Sequence, residues 1–211
     1  MPRVLERGTI SFAFRPRVNE PDPNGLEDVQ RFFVILLPAG RRTYRRLVVG
    51  RKRLPTPALH ERHWAYVDRA SATREDLERD LEEARYRTRT QGPRTQPAGR
   101  LAGEGIYAFV EHAEHVHLVY ELEVPATRGE VQEDLGVEPA ASYVVVALLR
   151  GRDRRFAPFQ VELLDREGAE LVLIGAGDSP PAGLGLRLDP GRERAVATRL
   201  FESLELGSKW Q

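Results

Sequence analysis

Three side chains on one predicted strand have the types and spacing of a metal site. His115, His117 and Glu121 occupy alternate positions of the segment 115–124, and side chains two apart on a β-strand point to the same face. Imidazole nitrogens and a carboxylate oxygen are ligands that a borderline divalent metal accepts at about 2 Å. A fourth ligand would come from another histidine or a carboxylate. The sequence predicts no cofactor, although this spacing allows a divalent metal. The alternative is a polar strand face in water, with His and Glu side chains paired.

A second candidate is a band of basic side chains that would bind anions. Guanidinium groups match the geometry of phosphate, and neighbouring aromatic rings at Tyr44, Trp64, Tyr66 and Tyr86 would stack on nucleic-acid bases. On a strand these basic residues alternate between both faces, which disfavours a single stripe. The predicted anion-binding residues are Arg41, Arg42, Arg45, Arg46, Arg51, Lys52 and Arg53. Arg85, Arg87 and Arg89 would extend this band.

The charge of the whole chain is balanced, but its two halves differ. Residues 1–100 carry 21 of the 32 basic and 13 of the 32 acidic side chains, so residues 101–211 carry the other 11 and 19. The net charge is therefore +8 for residues 1–100 and −8 for residues 101–211. Either the two halves pair within the fold, or the basic half meets an anionic partner.

Covalent catalysis has little support in this sequence. The chain has no cysteine, so it has no thiol nucleophile, disulfide or thiolate metal site. It also lacks the Gly-x-Ser-x-Gly turn that presents a nucleophilic serine. We therefore assign no catalytic residue, and the sequence favours a protein that is not an enzyme.

The histidines lie in the stretch around which the chain is organised, a predicted β-hairpin. From His115 to Val124 apolar residues alternate with polar ones, which is typical of a half-buried strand. Val116, Leu118 and Tyr120 share the apolar face. The preceding strand is predicted over 106–111, with the turn at 112–114.

The remaining elements indicate an α+β protein. The segments 8–14, 31–37, 44–50, 63–68, 143–149, 161–164 and 170–174 are predicted strands, and 74–84, 129–135 and 192–204 are predicted helices. The stretch 86–100 fits either an edge strand with a loop or a mobile arm. Short connections favour antiparallel pairing. We expect one domain over 1–211, with a single mostly antiparallel β-sheet or partly open barrel of about nine strands and about three peripheral helices.

The apolar segments are too short for a membrane span. The longest, 32–37 and 143–149, fall far below the roughly 20 residues that a helix needs to cross a bilayer. The first seven residues lack the apolar core of a secretion signal. We expect a cytoplasmic protein without a membrane partner.

Two resemblances add to this interpretation. The His115, His117 and Glu121 spacing resembles the first metal motif of the cupin family, but Phe109 occupies the glycine position and no histidine follows His117. The segment from Pro97 through the hairpin to Gln132 resembles a group of uncharacterised bacterial proteins. That second resemblance extends along most of the chain and implies a free-standing bacterial protein, without an activity, cofactor or site.

The leading hypothesis is a binding protein whose ligand is a partner protein or an anionic molecule. It requires arginines gathered on one exposed face, and nucleic-acid binding through the arginine-rich N-terminal half is one form of it. The alternative is a metal-binding barrel or metal-dependent enzyme. That alternative requires His115, His117 and Glu121 inside a concave pocket, with a fourth ligand near.

Overall fold

The computed structural model describes residues 2–149, 155–177, 188, 209 and 210. Its central feature is a closed antiparallel barrel of eight strands. Nine strands join side by side in the order β10-β9-β11-β4-β3-β2-β1-β7-β8, and a further pairing of β8 with β9 closes the ring. Strand β10 stays outside it, while β5 and β6 form a separate hairpin. The strands are β1 (Arg3–Pro16), β2 (Val29–Pro38), β3 (Tyr44–Val49), β4 (Arg62–Ser71), β5 (Ala84–Thr88), β6 (Gly92–Gln96), β7 (Arg100–His112), β8 (His115–Val124), β9 (Ala140–Leu149), β10 (Arg155–Pro158) and β11 (Glu170–Gly175).

The described part of the chain contains two short α-helices, α1 (Arg74–Glu78) and α2 (Glu130–Asp134). The predicted α+β class, with a single antiparallel sheet or partly open barrel and about three helices, is therefore wrong, because the fold is mostly β and the barrel is closed. The third predicted helix, 192–204, lies outside the described residues. No helix in the described part of the chain is long and apolar enough to cross a membrane.

Strand β2 shows why the wall of the barrel has two apolar sides. Its alternate residues Phe32, Val34 and Leu36 belong to the interior core, whereas Phe33 and Ile35 belong to a second cluster outside the wall. The segment 74–81, which contains α1 and one 3₁₀ turn, covers that outer cluster with Leu77 and Leu81. The prediction of a strand buried on both faces is confirmed for β2.

The predicted central hairpin is also confirmed. Strands β7 and β8 pair antiparallel from Glu104 with Val124 to His112 with His115. The turn residues Ala113 and Glu114 both have positive φ, as a tight two-residue hairpin turn requires. Val116, Leu118 and Tyr120 point into the core. The outer face of β7 is buried as well, since Leu188 packs with residues such as Ile106 and Val119.

Each end of the barrel is closed by a short segment. At one end the 3₁₀ helix Val161–Asp165 places Val161 and Leu164 in the core. The sequence predicts a strand over 161–164, which is wrong: the apolar residues here plug the barrel instead of pairing in it. At the other end α2 contributes Val131, and Trp210 packs edge-on against Phe14 with ring centroids 5.5 Å apart.

Candidate binding surface

The predicted metal ligands lie on the outer wall of the barrel. His115 and Glu121 are exposed, and His117 is half-buried with its Nδ1 atom 3.2 Å from the Ser142 hydroxyl oxygen. Burial, and then the neighbouring His112 and His115, lower the pKa of His117. This face therefore favours the neutral imidazole at position 117.

The geometry separates the three predicted ligands along the strand. His117 and Glu121 are four residues apart, so their Cα atoms are separated by about 13 Å at roughly 3.3 Å per residue. Val119, which is buried, lies between them. Among the described residues, no group of three or more His, Asp and Glu side chains is placed to hold a metal ion. The cupin-like site therefore stays a prediction.

Arg45, from the predicted basic band, lies inside the barrel near one end. Its side chain is completely buried, and its Nη1 atom donates to Glu6 Oε1 at 2.6 Å. Its Nε atom donates to Asp165 Oδ1 at 2.8 Å, and the Tyr107 hydroxyl donates to the same Glu6 oxygen at 2.8 Å. One polar network thus joins strands β1, β3 and β7 to the 3₁₀ helix Val161–Asp165; its Glu6, Arg45 and Tyr107 side chains are buried, and Asp165 is partly exposed.

The electrostatics of this network fix the ionisation states of Arg45 and Tyr107. Burial alone lowers the pKa of Arg45, but the charge and hydrogen bonds of Glu6 and the hydrogen bond of Asp165 outweigh it, so the pKa is raised. Burial and then the adjacent Glu6 carboxylate raise the pKa of Tyr107 well above its ordinary value. Arg45 is therefore always charged and Tyr107 always neutral at physiological pH. The network is suited to holding the barrel together, and Arg45 has no free donor face for an external anion.

Arg46 points the opposite way, as strand alternation predicts, and is buried under α1. Its Nε and Nη2 atoms donate to Asp68 Oδ2 at 2.8 and 2.6 Å, and its Nη1 atom donates to the Leu77 carbonyl at 2.6 Å. Asp80 accepts a further bond at 3.0 Å, and the guanidinium lies 5.2 Å from the centroid of the Phe33 ring. Arg46 therefore fastens the α1 segment to the wall.

The other members of the predicted band do not gather into one surface either. Arg41 contacts the carboxylates of Glu6 at 3.2 Å and Glu162 at 3.1 Å, and Arg53 contacts Glu61 at 2.9 Å. Lys52 donates to a backbone carbonyl at 2.5 Å. Arg42 and Arg51 are exposed. Four members of the band thus pair with acidic groups of the same chain, but only Glu162 and Asp165 among those partners belong to the acidic half.

The β5–β6 hairpin forms a more exposed basic surface, which we call the arm (residues 84–96). The four residues from Ala84 to Arg87 are all exposed, and the pairing runs from Ala84 with Gln96 to Thr88 with Gly92. Asn19 holds the base of the arm through two hydrogen bonds to Thr95. The Asn19 backbone N–H donates to the Thr95 carbonyl at 2.7 Å, and the Thr95 backbone N–H donates to Asn19 Oδ1 at 2.8 Å. The stretch 86–100, predicted as an edge strand with a loop or as a mobile arm, therefore contains most of a separate hairpin and the first residue of β7.

The arm is uniformly positive. Between positions 84 and 100 the sequence has arginines at 85, 87, 89, 94 and 100 and no acidic residue. Arg87 and Arg89 are exposed, and neither has an ion pair with a described residue; Arg85 contacts Glu83 at its base at 3.0 Å. Tyr86, which is 46% exposed, lies directly across the hairpin from Arg94. An exposed aromatic ring and guanidinium groups that have no ion pair with a described residue therefore lie on the same hairpin.

Of the four aromatic residues predicted to stack on bases, only Tyr86 lies on the arm. Trp64 and Tyr66 contact each other on the outer wall, with ring centroids 5.1 Å apart. Tyr44 packs against the outer cluster under α1. The structure therefore separates these rings, and only Tyr86 among the four lies on the same hairpin as the exposed arginines.

The interior of the barrel leaves little room for a ligand. Its apolar side chains, among them Val34, Leu118 and Phe159, surround a cavity of about 10 Å³, which is no more than the space of one water molecule. A polar cleft of about 270 Å³ lies beside α1, where Arg69, Asp76, Asp80 and Glu167 line it. Arg69 is already bound to Asp80 at 2.7 Å. The barrel interior is therefore filled, whereas the arm is exposed and carries positive charge.

The sequence alone does not predict two features of the structure, the buried partner of Arg45 and the exposed basic hairpin. Glu6 lies on the same inward face of β1 as Ile10 and Phe12. A carboxylate in such an apolar stripe indicates a buried cationic partner, but the sequence does not identify that partner as Arg45. The arginine-rich stretch 84–100 contains no acidic residue, but its sequence does not predict the hairpin that displays four of its five arginines. Comparison with known proteins adds no assignment: no family model, curated protein or solved structure matches this chain.

Proposed function

We propose that this protein acts by binding an anionic partner through the arm, with the barrel as its scaffold. The observation that carries the proposal is the set of four arginines on the exposed hairpin, at 85, 87, 89 and 94, in a stretch without an acidic residue. Arg87 and Arg89 have no ion pair with a described residue, so their charge is available to a ligand. By contrast, Arg45 and Arg46 are buried and fully engaged within the chain.

Binding is favoured over catalysis because the best-formed polar groups serve the fold. The Glu6, Arg45 and Tyr107 network is buried and internally bonded, and the barrel interior is filled. An exposed arginine contributes to the binding of a polyanion by neutralising one of its charges and releasing a counterion. The arm can supply several such contacts without any rearrangement of the barrel.

The test compares matched pairs of arginines by fluorescence anisotropy at about 50 mM salt. The probes are labelled single-stranded DNA, labelled duplex DNA and labelled polyglutamate. Arg87→Ala with Arg89→Ala removes two exposed charges from the arm, and Arg62→Ala with Arg166→Ala removes two exposed charges from elsewhere.

We expect the unaltered protein to bind at least one probe. The arm variant should bind it at least tenfold more weakly, while the control variant stays within about twofold. Failure to bind any probe, or an equal loss in both variants, would contradict the proposal.

A further inference from the structure

We infer that the anionic partner is duplex DNA and that the tip of the arm enters its major groove. This inference rests on the proposed function, because it names the partner class of the same arm. Its starting point is the distribution of arginines over the two faces of the hairpin. Arg85 and Arg87 alternate onto one face, and Arg94 lies on the other face together with Tyr86.

A charge on both faces suits a groove better than a flat surface. A hairpin that lies on an acidic protein presents one face to it and leaves the arginines of the other face in water. A hairpin that enters a groove tip-first has a phosphate backbone on each side. Arg87 then faces one backbone and Arg94 the other, so both contribute to the same complex.

The dimensions of the arm agree with the major groove of B-form DNA. A two-stranded ribbon with its side chains is about 10 Å thick, and five residues of strand extend about 16 Å. The major groove is about 12 Å wide and 8.5 Å deep, whereas the minor groove is only about 6 Å wide. The major groove of an A-form RNA duplex is too deep and narrow for side chains to read. The fit therefore selects DNA over duplex RNA.

The tip of the arm carries the side chains that read bases. Arg89, Thr90 and Gln91 are exposed there, and arginine and glutamine form paired hydrogen bonds with guanine and adenine in the major groove. The Thr88 hydroxyl oxygen accepts a hydrogen bond from the Gln91 backbone N–H at 3.1 Å. Arg94 in turn donates to the Gln91 side chain. These bonds hold the turn in shape, so the tip is preorganised for insertion.

The experiment measures the affinity for one duplex DNA, the duplex RNA of the same sequence and the single DNA strand. We expect the DNA duplex to bind at least tenfold more tightly than the other two. DNA methylated at guanine N7, which blocks the major groove, should bind at least fivefold more weakly. Arg87→Ala and Arg94→Ala should each lower the slope of log affinity against log salt by about 1, whereas Arg62→Ala leaves it unchanged.

The outcomes separate this inference from the proposed function. Arm-dependent binding to all three nucleic acids with equal affinity, tighter binding to the single strand, or indifference to N7 methylation would overturn the groove inference alone. A changed salt slope in Arg87→Ala but not in Arg94→Ala would also overturn it, because a single face would then suffice. The absence of arm-dependent binding to any anionic probe, polyglutamate included, would overturn both.

Discussion

The Nη1 atom of Arg45 lies 2.6 Å from the Oε1 atom of Glu6, and both side chains are buried inside the barrel. Neither group can exchange its partner for water. We expect Arg45→Met to lower the free energy of unfolding by about 3–5 kcal/mol, because it leaves the Glu6 carboxylate buried without its main counter-charge. Urea unfolding followed by circular dichroism measures the loss.

The control for this variant is Arg62→Ala, an exposed change that should alter stability by less than about 0.5 kcal/mol. Replacing both partners, with Glu6→Gln and Arg45→Met, should recover part of the loss because no buried charge is then left alone. A cost below about 1 kcal/mol for Arg45→Met would contradict the buried pair.

Arg46 should stabilise one segment more than the rest of the barrel. Arg46→Leu removes the donors to Asp68, Asp80 and the Leu77 carbonyl, so we expect a loss of roughly 3 kcal/mol. Hydrogen exchange should accelerate over 74–81 more than over β2. Arg79→Ala is the matched change on the same segment, since its ion pair with Asp76 is exposed and contributes less than about 0.5 kcal/mol. Equal rates of hydrogen exchange over 74–81 in Arg46→Leu and Arg79→Ala would contradict the proposal that Arg46 stabilises this segment.

His63 makes stability depend on pH below neutrality. Burial lowers the pKa of this imidazole from its ordinary value of 6.5, although the Arg53 carbonyl and Glu61 oppose the shift. Below pH 6.5 the unfolded chain therefore binds more protons than the folded one, and stability falls as the pH is lowered.

The check is a series of unfolding midpoints between pH 7.5 and pH 5. The fall should be clearly smaller in His63→Gln than in the parent protein. A hydrogen bond from the Thr56 backbone N–H lowers the pKa of Glu61 to about 2. In the folded protein Glu61 therefore stays ionised across this pH range. An equally steep fall in both proteins would assign the dependence to other groups.

Gly105 permits the close approach of β7 and β8. A Cβ atom at this position would lie 2.1 Å from the Glu121 carbonyl oxygen, so Gly105→Ala must displace one strand. We expect a loss of about 1–3 kcal/mol in the free energy of unfolding. Gly25→Ala is the control, because nothing lies within 4 Å of its Cβ and its backbone is extended. The two variants should separate clearly in thermal midpoint; coincident midpoints would contradict the close approach.

The sequence predicts which face of a strand is buried better than it predicts which strands pair with each other. The alternation of Val116, Leu118 and Tyr120 and the two-sided apolar run of β2 both determine which surfaces are buried, and the structure agrees. Closure of the barrel requires β8 to pair with β9, and β4 to pair with β11 a hundred residues later in the chain. No local pattern encodes those partners. The short apolar run 161–164 fits a strand and a 3₁₀ turn equally well.

The candidate sites follow the same division. Alternation places Arg45 and Arg46 on opposite faces, but their acidic partners Glu6 and Asp80 lie 39 and 34 residues away. A count of arginines therefore overestimates the free charge of the band. The arm differs because no acidic residue lies between positions 84 and 100, so the nearest acidic partners in sequence, Glu82 and Glu83, stand at its base.

The position of β1 has a consequence for how the protein is made. This strand lies between β2 and β7, and its second neighbour spans residues 100–111. At roughly 5–20 residues per second, β7 leaves the ribosome on the order of 5–20 seconds after β1. During that interval the first hairpin has an unsatisfied backbone edge beside Phe12 and Phe14. A nascent chain paused before residue 100 would thus be vulnerable to aggregation, and chaperones should associate with it at that stage of translation.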